Sequence, residues 1–373
     1  MKVTIERAAL LKSLGHVQSV VERRNTIPVL ANVLLEAQAG TLGLSATDMD
    51  ITIVESLAAE VAQPGATTAP AHTLYEIVRK LPDGAQVELS VDSAGGQMRL
   101  KAGRSSFALA TLPKDDFPTG DGADLPQRFT LHGEELRNLI DRTRFAISTE
   151  ETRYYLNGIY LHATRGQTPE RLRAVATDGH RLARFEVDLP EGAAEMPGVI
   201  VPRKAVNELR KLIDELESGV EVSLSQTRIR FAFNSTTVLT SKLIDGTFPD
   251  YERVIPAGND KYMQVVCKDF AKAVDRVATI SSEKSRAIKL SLDDGVLTLS
   301  ATSPDQGSAS ESLDASYDGT PLDIGFNARY VLDIAERIEG AEARFSFADS
   351  ASPTIVRDTT DSSALYVLMP MRV

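Results

Sequence analysis

The chain repeats one pattern three times, and this repeat limits the folds that it can adopt. Residues 40–48, 171–178 and 295–303 each alternate apolar and polar side chains before reaching Ala-Thr-Asp or Ala-Thr-Ser. The threonines of these three segments are 130 and 125 positions apart. Because alternation with a period of two is typical of a half-buried strand, we expect a strand at the same place in each third of the chain.

Each third also contains two helical patterns, in which apolar residues recur three and four positions apart and form one buried face. The six predicted helices are residues 7–14, 74–81, 134–140, 205–213, 269–274 and 330–338. In each third, a short strand precedes the first helix and another strand follows the second. We therefore predict an α+β fold of three tandem domains, each with two helices packed against several strands.

Proline and glycine mark the joins between the thirds. One join contains Phe117-Pro118 followed by Gly120 and Gly122, and the other extends from Phe248 to Asn259. Such residues favour loops over helices or strands. Because these loops coincide with the repeat period, we predict three domains at residues 1–122, 126–254 and 257–373.

The charge balance alone argues against a nucleic-acid partner. The net charge is −11, whereas proteins that grip phosphates usually carry a basic surface. A net charge is a sum, however, and hides asymmetry. The basic residues on the predicted helices are Lys12, Arg79, Lys80, Arg137, Arg203, Lys204, Arg210, Lys211, Lys272, Arg276 and Arg329. A nucleic-acid partner remains compatible with the sequence if such residues share one surface.

The single cysteine, Cys267, excludes a disulfide within the chain and fits a reducing compartment. The sequence begins without an apolar signal region and has no stretch of about 18 apolar residues. We therefore expect a cytoplasmic protein that does not bind a membrane.

One segment near the middle of the chain brings together side chains that could perform acid–base chemistry. Asp178, Gly179, His180 and Arg181 are consecutive, and they could form either a catalytic site or a turn. Asp48 occupies the place of Asp178 in the first third, where no histidine follows. The aspartate is therefore interpreted as a turn residue, and we expect this turn in all three thirds, whereas the Gly-His-Arg-Leu that follows it is specific to the middle third.

Familiar enzymatic motifs are absent from the sequence. The five histidines form no His-x-x-x-His pair, and no Cys-x-x-Cys pair occurs, so we expect no metal site. The sequence also lacks a Walker loop, a Gly-x-Gly-x-x-Gly motif and a Gly-x-Ser-x-Gly motif, so we expect no cofactor. Two alternatives remain open, namely a hydrolase that uses Asp178 and His180, and a peptide-binding scaffold without a DNA role.

Five motifs, in order along the chain, resemble those of the bacterial sliding clamps, the beta subunits of DNA polymerase III. They are Arg153-Tyr154-Tyr155-Leu156-Asn157-Gly158, Ala176-Thr177-Asp178-Gly179-His180-Arg181-Leu182, Val201-Pro202-Arg203-Lys204, Thr240 to Gly246 with Phe248-Pro249-Asp250-Tyr251, and Met369-Pro370-Met371-Arg372-Val373. The resemblance extends over the whole chain. It implies a non-enzymatic processivity factor, a head-to-tail homodimer that closes as a ring around duplex DNA.

The resemblance implies a set of DNA-contacting positions that bind phosphates without sequence preference. These positions are Arg24, His72, Arg79, Glu150, Tyr154, Tyr155, Arg203 and Lys204. His72 stands where some relatives carry a basic residue, and Glu150 stands beside the tyrosine pair, where a neutral side chain would suit phosphate better. We therefore expect the direct grip on DNA to be weaker in this chain.

The resemblance also implies a groove for short extended peptides of the polymerase catalytic subunit, the clamp loader and other partner proteins. The residues that we expect to line this groove are Leu156, Thr177, Gly179, His180, Arg181, Leu182, Pro249, Arg253, Val254, Asn327, Tyr330, Val367, Leu368, Met369, Pro370, Met371 and Arg372. Methionine suits a surface that accepts different partners. Ser285 stands where some relatives carry an aromatic ring, so partner preference is expected to differ at the edge of the groove.

The ring implied by the resemblance needs a contact between two copies of the chain. Phe107 and Leu109 of the first third match one side of this contact, and Thr279 and Ile280 of the last third match the other. A head-to-tail contact of this kind closes a ring when the rotation allows it. Loading onto DNA would need a separate ATP-driven protein, because the chain has no ATP-binding motif.

Overall fold

The computed structural model describes residues 1–91, 96–118, 120, 122, 124–214, 219–281 and 286–372, so that Ser285 and Val373 lie outside the described residues. The chain divides into two compact units. Unit 1 consists of Met1–Leu136, Pro190–Pro197 and Lys204–Leu243, and unit 2 consists of Arg137–Leu189, Gly198–Arg203 and Ile244–Val373. The middle third of the sequence therefore contributes segments to both units.

All six predicted helices are present, with shifts of up to six residues at their ends. Within the described ranges they are α1 (Arg7–Val20), α2 (Ala71–Lys80), α3 (Gly133–Asp141), α4 (Arg203–Ile213), α5 (Cys267–Ala278) and α6 (Ala328–Ala335). Leu10, Leu14 and Val17 are buried along one face of α1, as the apolar spacing predicted. Glu6 caps α1 by accepting a hydrogen bond from the backbone N–H of Ala9, which explains why this helix begins directly after a strand.

The strands of unit 1 are β1 (Lys2–Glu6), β2 (Asn32–Gln38), β3 (Thr41–Thr47), β4 (Ile51–Ala58), β5 (Glu60–Gln63), β6 (Gly65–Pro70), β7 (Gln86–Val91), β8 (Gln97–Ala102), β9 (Ser105–Ala110), β10 (Gln127–Leu131), β15 (Val220–Leu224), β16 (Arg228–Ala232) and β17 (Thr237–Lys242). They form an eight-stranded sheet in the order β10-β15-β16-β17-β4-β3-β2-β6 and a five-stranded sheet in the order β5-β1-β7-β8-β9. In the larger sheet, β17 of the middle third pairs with β4 of the first third, from Thr237 opposite Glu55 to Ser241 opposite Ile51.

The strands of unit 2 are β11 (Gly158–Ala163), β12 (Arg171–Thr177), β13 (Arg181–Asp188), β14 (Val199–Pro202), β18 (Lys261–Val266), β19 (Ala287–Asp293), β20 (Val296–Ser303), β21 (Gly307–Asp314), β22 (Ser316–Asp318), β23 (Leu322–Asn327), β24 (Glu342–Phe347), β25 (Thr354–Asp358) and β26 (Ala364–Leu368). Nine of them form a sheet in the order β14-β11-β12-β13-β26-β25-β24-β18-β22, and the others pair in the order β21-β20-β19-β23. In the nine-stranded sheet, β13 of the middle third pairs with β26 at the end of the chain.

The predicted Thr-Asp turn occurs in the first and second thirds with the same hydrogen bonds. The threonine hydroxyl donates to the carbonyl four positions on, at 2.8 Å from Thr47 and 2.7 Å from Thr177. The aspartate carboxylate accepts from the backbone N–H groups two and three positions on, at 2.9 and 2.7 Å from Asp48 and at 2.9 and 3.1 Å from Asp178. The aspartate therefore fixes the turn, as the repeat indicated.

The prediction that this turn occurs three times is wrong for the last third. Thr302 and Ser303 remain within β20, where they pair with Ser308 and Gly307 of β21. Serine replaces aspartate at this place, so no carboxylate is available to accept the two backbone N–H groups, and the strand continues.

Candidate functional site

An apolar cluster on one face of the nine-stranded sheet of unit 2 contains several predicted groove residues. Leu182 of β13 pairs with Thr177 of β12 on one side and with Val367 of β26 on the other. Residues directly opposite in a sheet share a face, so these three side chains are neighbours. The buried members of the cluster are Leu156, Val175, Leu182, Ile200, Phe248, Tyr251, Ile355, Leu365 and Val367.

The segment that follows Phe248 packs onto this cluster and forms its rim. The ring of Phe248 stacks on Tyr160, with centroids 4.8 Å apart, and the hydroxyl of Tyr251 lies 3.0 Å from Nε2 of His162. These two buried rings hold the intervening Pro249 and the following Val254 at the surface, where Val254 is 47% exposed. The Phe-Pro-Asp-Tyr motif in the sequence thus marks two residues that anchor the segment and two that lie at its surface.

The carboxy-terminal residues are held in place by backbone hydrogen bonds. The N–H of Met369 donates to the carbonyl of His180 at 3.0 Å, and the N–H of Met371 donates to the carbonyl of Gly325 at 2.8 Å. Met369 is nevertheless 37% exposed, and Arg372 is exposed. The tail therefore presents ordered side chains to solvent.

His180 and Tyr330 lie together beside the tail. Their rings are nearly parallel, at 22°, with centroids 6.3 Å apart, and His180 is exposed. Burial raises the pKa of Tyr330 above its ordinary value. Asn327 has a structural role as the cap of α6, because its side chain accepts a hydrogen bond from the N–H of Arg329 at 3.0 Å.

Arg181 does not share the groove face with Leu182, contrary to the expectation from the sequence. It pairs with Leu368 and points to the opposite face of the sheet, because successive side chains of a strand alternate. Its guanidinium is enclosed and makes several contacts, since it binds Asp178 at 3.1 Å and Asp333 at 2.5 Å and lies 4.3 Å from the ring centre of Tyr330. Arg181 therefore positions Tyr330 rather than lining the apolar cluster.

Gly179 occupies a backbone conformation that the repeat shares. Its φ is 88°, and Met49 has a φ of 78° at the same place in the first third. A Cβ atom on Gly179 would lie 2.5 Å from Nη1 of Arg153, so the end of this flexible side chain would have to move. Arg153, which the sequence reasoning did not select as a site residue, binds Glu150 through two hydrogen bonds of 2.8 and 2.6 Å.

The DNA-contacting candidates of unit 1 differ in whether other groups of the protein already bind their side chains. Arg24 is exposed, and no ion pair of the described residues involves it. Arg79 donates to Glu76 at 2.7 Å, and Lys204 donates to Asp48 at 2.5 Å and also to Glu22. The two ring nitrogens of His72 lie 2.8 and 3.0 Å from oxygens of Gln18 and Val21. Of this set, only Arg24 combines exposure with a charge that no carboxylate neutralises.

The DNA-contacting candidates of unit 2 are Glu150, Tyr154, Tyr155 and Arg203. Tyr154 is 53% exposed and contacts the edge of Tyr155, with ring centroids 5.7 Å apart. The hydrogen bonds from Arg153 hold the pKa of Glu150 below its ordinary value, and they also offset its negative charge beside the tyrosine pair. Arg203 is exposed, and among the described residues no carboxylate pairs with it.

The candidate dimer residues lie on or beside exposed regions of each unit. Phe107 and Leu109 belong to β9, the last strand of the five-stranded sheet, with 37% and 8% of their surfaces exposed. Thr279 and Ile280 follow α5 in unit 2, where β21 is the last strand of the four-stranded sheet. Both edge strands leave backbone groups available for pairing.

The geometry at Asp178 does not favour acid–base chemistry. Both carboxylate oxygens accept hydrogen bonds, one from two backbone N–H groups and the other from Arg181. No group of three or more His, Cys, Asp or Glu side chains in the described ranges could hold a metal ion. None of the helices in the described ranges could cross a membrane, because each is too short or too polar.

Family models and individual relatives assign the chain to the same family. Models of the DNA polymerase III beta subunit match three consecutive parts of the chain, with the N-terminal domain over residues 1–121, the central domain over residues 130–250 and the C-terminal domain over residues 252–372. A beta sliding clamp of Caulobacter vibrioides (strain NA1000 / CB15N) is 55% identical over 373 residues, and the match covers 100% of both chains.

Solved structures give the same result. The Caulobacter crescentus beta sliding clamp, determined with PEG bound to a putative beta-motif tethering region, superimposes with a TM-score of 0.98 and 55% identity, covering 100% of this chain and 99% of that one. The Bartonella birtlesii sliding clamp bound to griselimycin has a TM-score of 0.97 and 50% identity, with 100% of both chains covered. The chain therefore belongs to the bacterial DNA polymerase III beta subunit family, the beta sliding clamps.

Proposed function

We propose residue-level roles for a chain that, as a member of this family, is a non-catalytic processivity clamp of DNA replication. In our proposal, unit 2 binds partner peptides at the groove, and the chain dimerises into a ring around duplex DNA. The main support is the apolar cluster around Leu182 and Val367, which is bordered by the exposed side chains of Val254 and Met369. Exposed apolar side chains next to a packed apolar cluster are typical of protein-binding surfaces.

The proposed groove suits a short extended peptide. Its wall is rigid, because the strand pairing of β13 with β26 and the hydrogen bonds of Met369 and Met371 fix it. Its exposed side chains include methionines, which adapt to different apolar partners. That the Bartonella clamp was solved with griselimycin bound supports ligand binding by a clamp of this fold. We propose that the polymerase catalytic subunit, the clamp loader and other replication and repair proteins compete for this groove.

The gain for replication comes from tethering. A polymerase bound to a ring that cannot leave DNA stays near the primer end, so its effective local concentration rises without new chemistry. We propose that the two exposed edge strands, β9 and β21, meet between copies of the chain and close the ring. Because DNA replication takes place in the bacterial cytoplasm, we also propose that location.

The groove is tested by truncating its exposed apolar rim. We expect the double variant Val254→Ala/Met369→Ala to bind a fluorescent peptide from the polymerase's clamp-binding segment roughly thirtyfold to several hundredfold more weakly, since each of the two truncations removes buried apolar contact worth about 1–2 kcal/mol. Fluorescence anisotropy measures this affinity. The matched control is Val266→Ala/Val296→Ala, which removes apolar side chains of similar exposure elsewhere in unit 2. Equal affinity of the two double variants would contradict the proposed groove.

Encirclement is tested on a nicked circular plasmid. The chain is loaded with a clamp loader, unbound protein is removed by gel filtration, and a restriction enzyme then linearises half of the sample. A ring should remain on the circle and slide off the linear ends, because its hold on the DNA is topological. Retention on linear DNA would mean that the chain binds by direct contact instead.

A further inference from the structure

A row of arginines lies beside the groove on the same face of the nine-stranded sheet. The groove side of this face includes Leu182, Val367 and Ile355, which are paired across β13, β26 and β25. Two positions further along these strands, Arg184 of β13 pairs with Leu365 of β26, and Arg357 follows on β25. On the next strand, β24, Arg344 lies directly opposite Arg357. Two residues of a strand span about 7 Å. We call Arg184, Arg357 and Arg344 the arginine row.

Carboxylates pair closely with other arginines of this face but not with Arg357 or Arg344 of the arginine row. Arg171 pairs with Asp188, and Arg173 pairs with Glu186 at 2.6 Å. In contrast, the ion pairs of the described residues include none that involves Arg357 or Arg344, and the carboxylate closest to Arg184 is 4.0 Å away. Arg357 and Arg344 are also exposed. The row is therefore a positive strip on a protein whose net charge is −11.

Neighbouring groups support this description of the charge. Burial lowers the pKa of Arg184 below its ordinary value, and the nearby cations Arg173 and Arg357 lower it further, while Glu186 partly offsets their effect. Arg344 lies 4.3 Å from the ring centre of Tyr262, and this cation–π contact does not occupy its N–H groups with a carboxylate. A guanidinium held in this way is prepared to bind a carboxylate with two parallel hydrogen bonds.

We propose that the arginine row binds acidic side chains that flank the apolar anchor of a partner peptide. This inference rests on the proposed groove. An extended peptide whose apolar side chain occupies the groove needs only two further residues to reach the row. Arg357 and Arg344 lie on adjacent strands, about 5 Å apart, so one or two carboxylates can bind both. The row would therefore select partners that carry Asp or Glu next to their apolar motif.

Nucleic acid is the competing ligand for a row of arginines, but the structure favours the peptide. The row shares its sheet face with the apolar cluster, and Leu365 of that cluster lies directly opposite Arg184 of the row. A phosphate backbone would gain nothing from adjoining apolar side chains, whereas a peptide uses the two surfaces together.

The test compares two fluorescent peptides that share one apolar anchor and differ in the flanking pair, Asp-Asp in one and Asn-Asn in the other. Wild-type protein at low salt should bind the acidic peptide about five- to tenfold more tightly, and 0.5 M NaCl should remove most of this difference. The variant Arg344→Gln/Arg357→Gln should bind both peptides alike. The control Lys114→Gln/Lys268→Gln changes the net charge equally and should keep the preference. Circular dichroism checks that each variant is folded.

The outcomes separate this inference from the proposed groove. If Val254→Ala/Met369→Ala weakens both peptides but the wild type does not distinguish them, the arginine row has no role and the groove proposal stands. If that groove variant binds both peptides normally, the groove proposal fails. A preference for Asp-Asp that survives in Arg344→Gln/Arg357→Gln would overturn the inference. So would a loss of duplex DNA binding by that variant with its peptide preference intact.

Discussion

Arg181 and Leu182 are adjacent in the sequence but serve opposite faces of one strand. The motif that contains them was predicted to be a functional segment, yet the sequence could not show which side chain faces the apolar cluster. That depends on the register with β26, a strand almost 190 residues later, where Arg181 pairs with Leu368 and Leu182 pairs with Val367. Long-range pairing of this kind leaves no local pattern in the sequence.

Removing Arg181 should affect stability more than any direct contact with a peptide. Arg181→Ala leaves Asp178 and Asp333 without their buried partner, so we expect unfolding to become easier by about 2–4 kcal/mol. Urea denaturation followed by circular dichroism measures this change. Arg253→Ala is the control, because its exposed guanidinium should contribute less than about 0.5 kcal/mol. A fully stable Arg181→Ala protein with lost peptide binding would show instead that Arg181 contacts the peptide.

Cys267 gives a prediction that depends on pH. Burial raises the pKa of its thiol from 9.0 to about 11, and the charge of Asp358 adds to this effect. The unfolded thiol ionises first, so the contribution of Cys267 to stability is present below pH 9 and is lost between about pH 9 and 11. We expect the native thiol to react slowly with Ellman's reagent at pH 8 and quickly once urea unfolds the protein.

The variant Cys267→Ala isolates this titration from that of other groups. Wild-type stability should fall by about 1–3 kcal/mol more than that of the variant when the pH rises from 8.5 to 10.5. Parallel pH profiles for the two proteins, or fast thiol labelling of the native state, would show that the thiol titrates normally.

At the level of elements, the helices could be predicted from the sequence, but the sheet edges could not. Helix patterns are local, since each depends on apolar residues three and four positions apart, and all six were found. Nothing local distinguishes β9 or β21, at the ends of their sheets, from a strand that is paired on both sides. The prediction of a third Thr-Asp turn was also wrong, because serine stands in place of aspartate in the last third.

The exposed edge of β9 leads to a prediction about assembly. Phe107→Asp places a charge on a 37% exposed aromatic position of this edge, so we expect the dimer to dissociate at micromolar concentration. Sedimentation velocity gives the mass in solution. The control Met49→Asp alters an exposed apolar residue in a turn, where aspartate tolerates the positive φ of 78°, and should remain a dimer. A dimeric Phe107→Asp protein would exclude β9 from the interface.

For the whole molecule, the net charge of −11 suggested no nucleic-acid partner, whereas the repeat and its motifs led to a clamp. The net charge was misleading here because only charges that are exposed and unpaired can attract a phosphate backbone. Several cations that the sequence assigned to DNA are neutralised by carboxylates of the same unit, as Lys204 is by Asp48 and Glu22. The sequence shows the number of charges but not these pairs.

This difference between paired and unpaired cations predicts how salt affects DNA binding. Arg24→Gln and Arg203→Gln should each reduce the slope of log affinity against log salt by about one, because each removes a free positive charge that can bind phosphate. Arg79→Gln, whose guanidinium already binds Glu76, should change the slope less. Fluorescence anisotropy with a labelled duplex between 50 and 200 mM salt measures the slopes. Equal slopes for all three variants would contradict the distinction.

The pairing of β17 with β4, and of β13 with β26, has a mechanical consequence. Each pairing joins different thirds of the chain along five consecutive residue pairs. Backbone hydrogen bonds arranged in this way resist shear, because many must break at once, and the continuous chain keeps the two paired strands together, whereas the β9 and β21 edges of separate copies have no covalent connection. We therefore expect each of these two strand pairings to deform little under load. Strain applied to the ring by a loading protein should then be released where one chain meets the other.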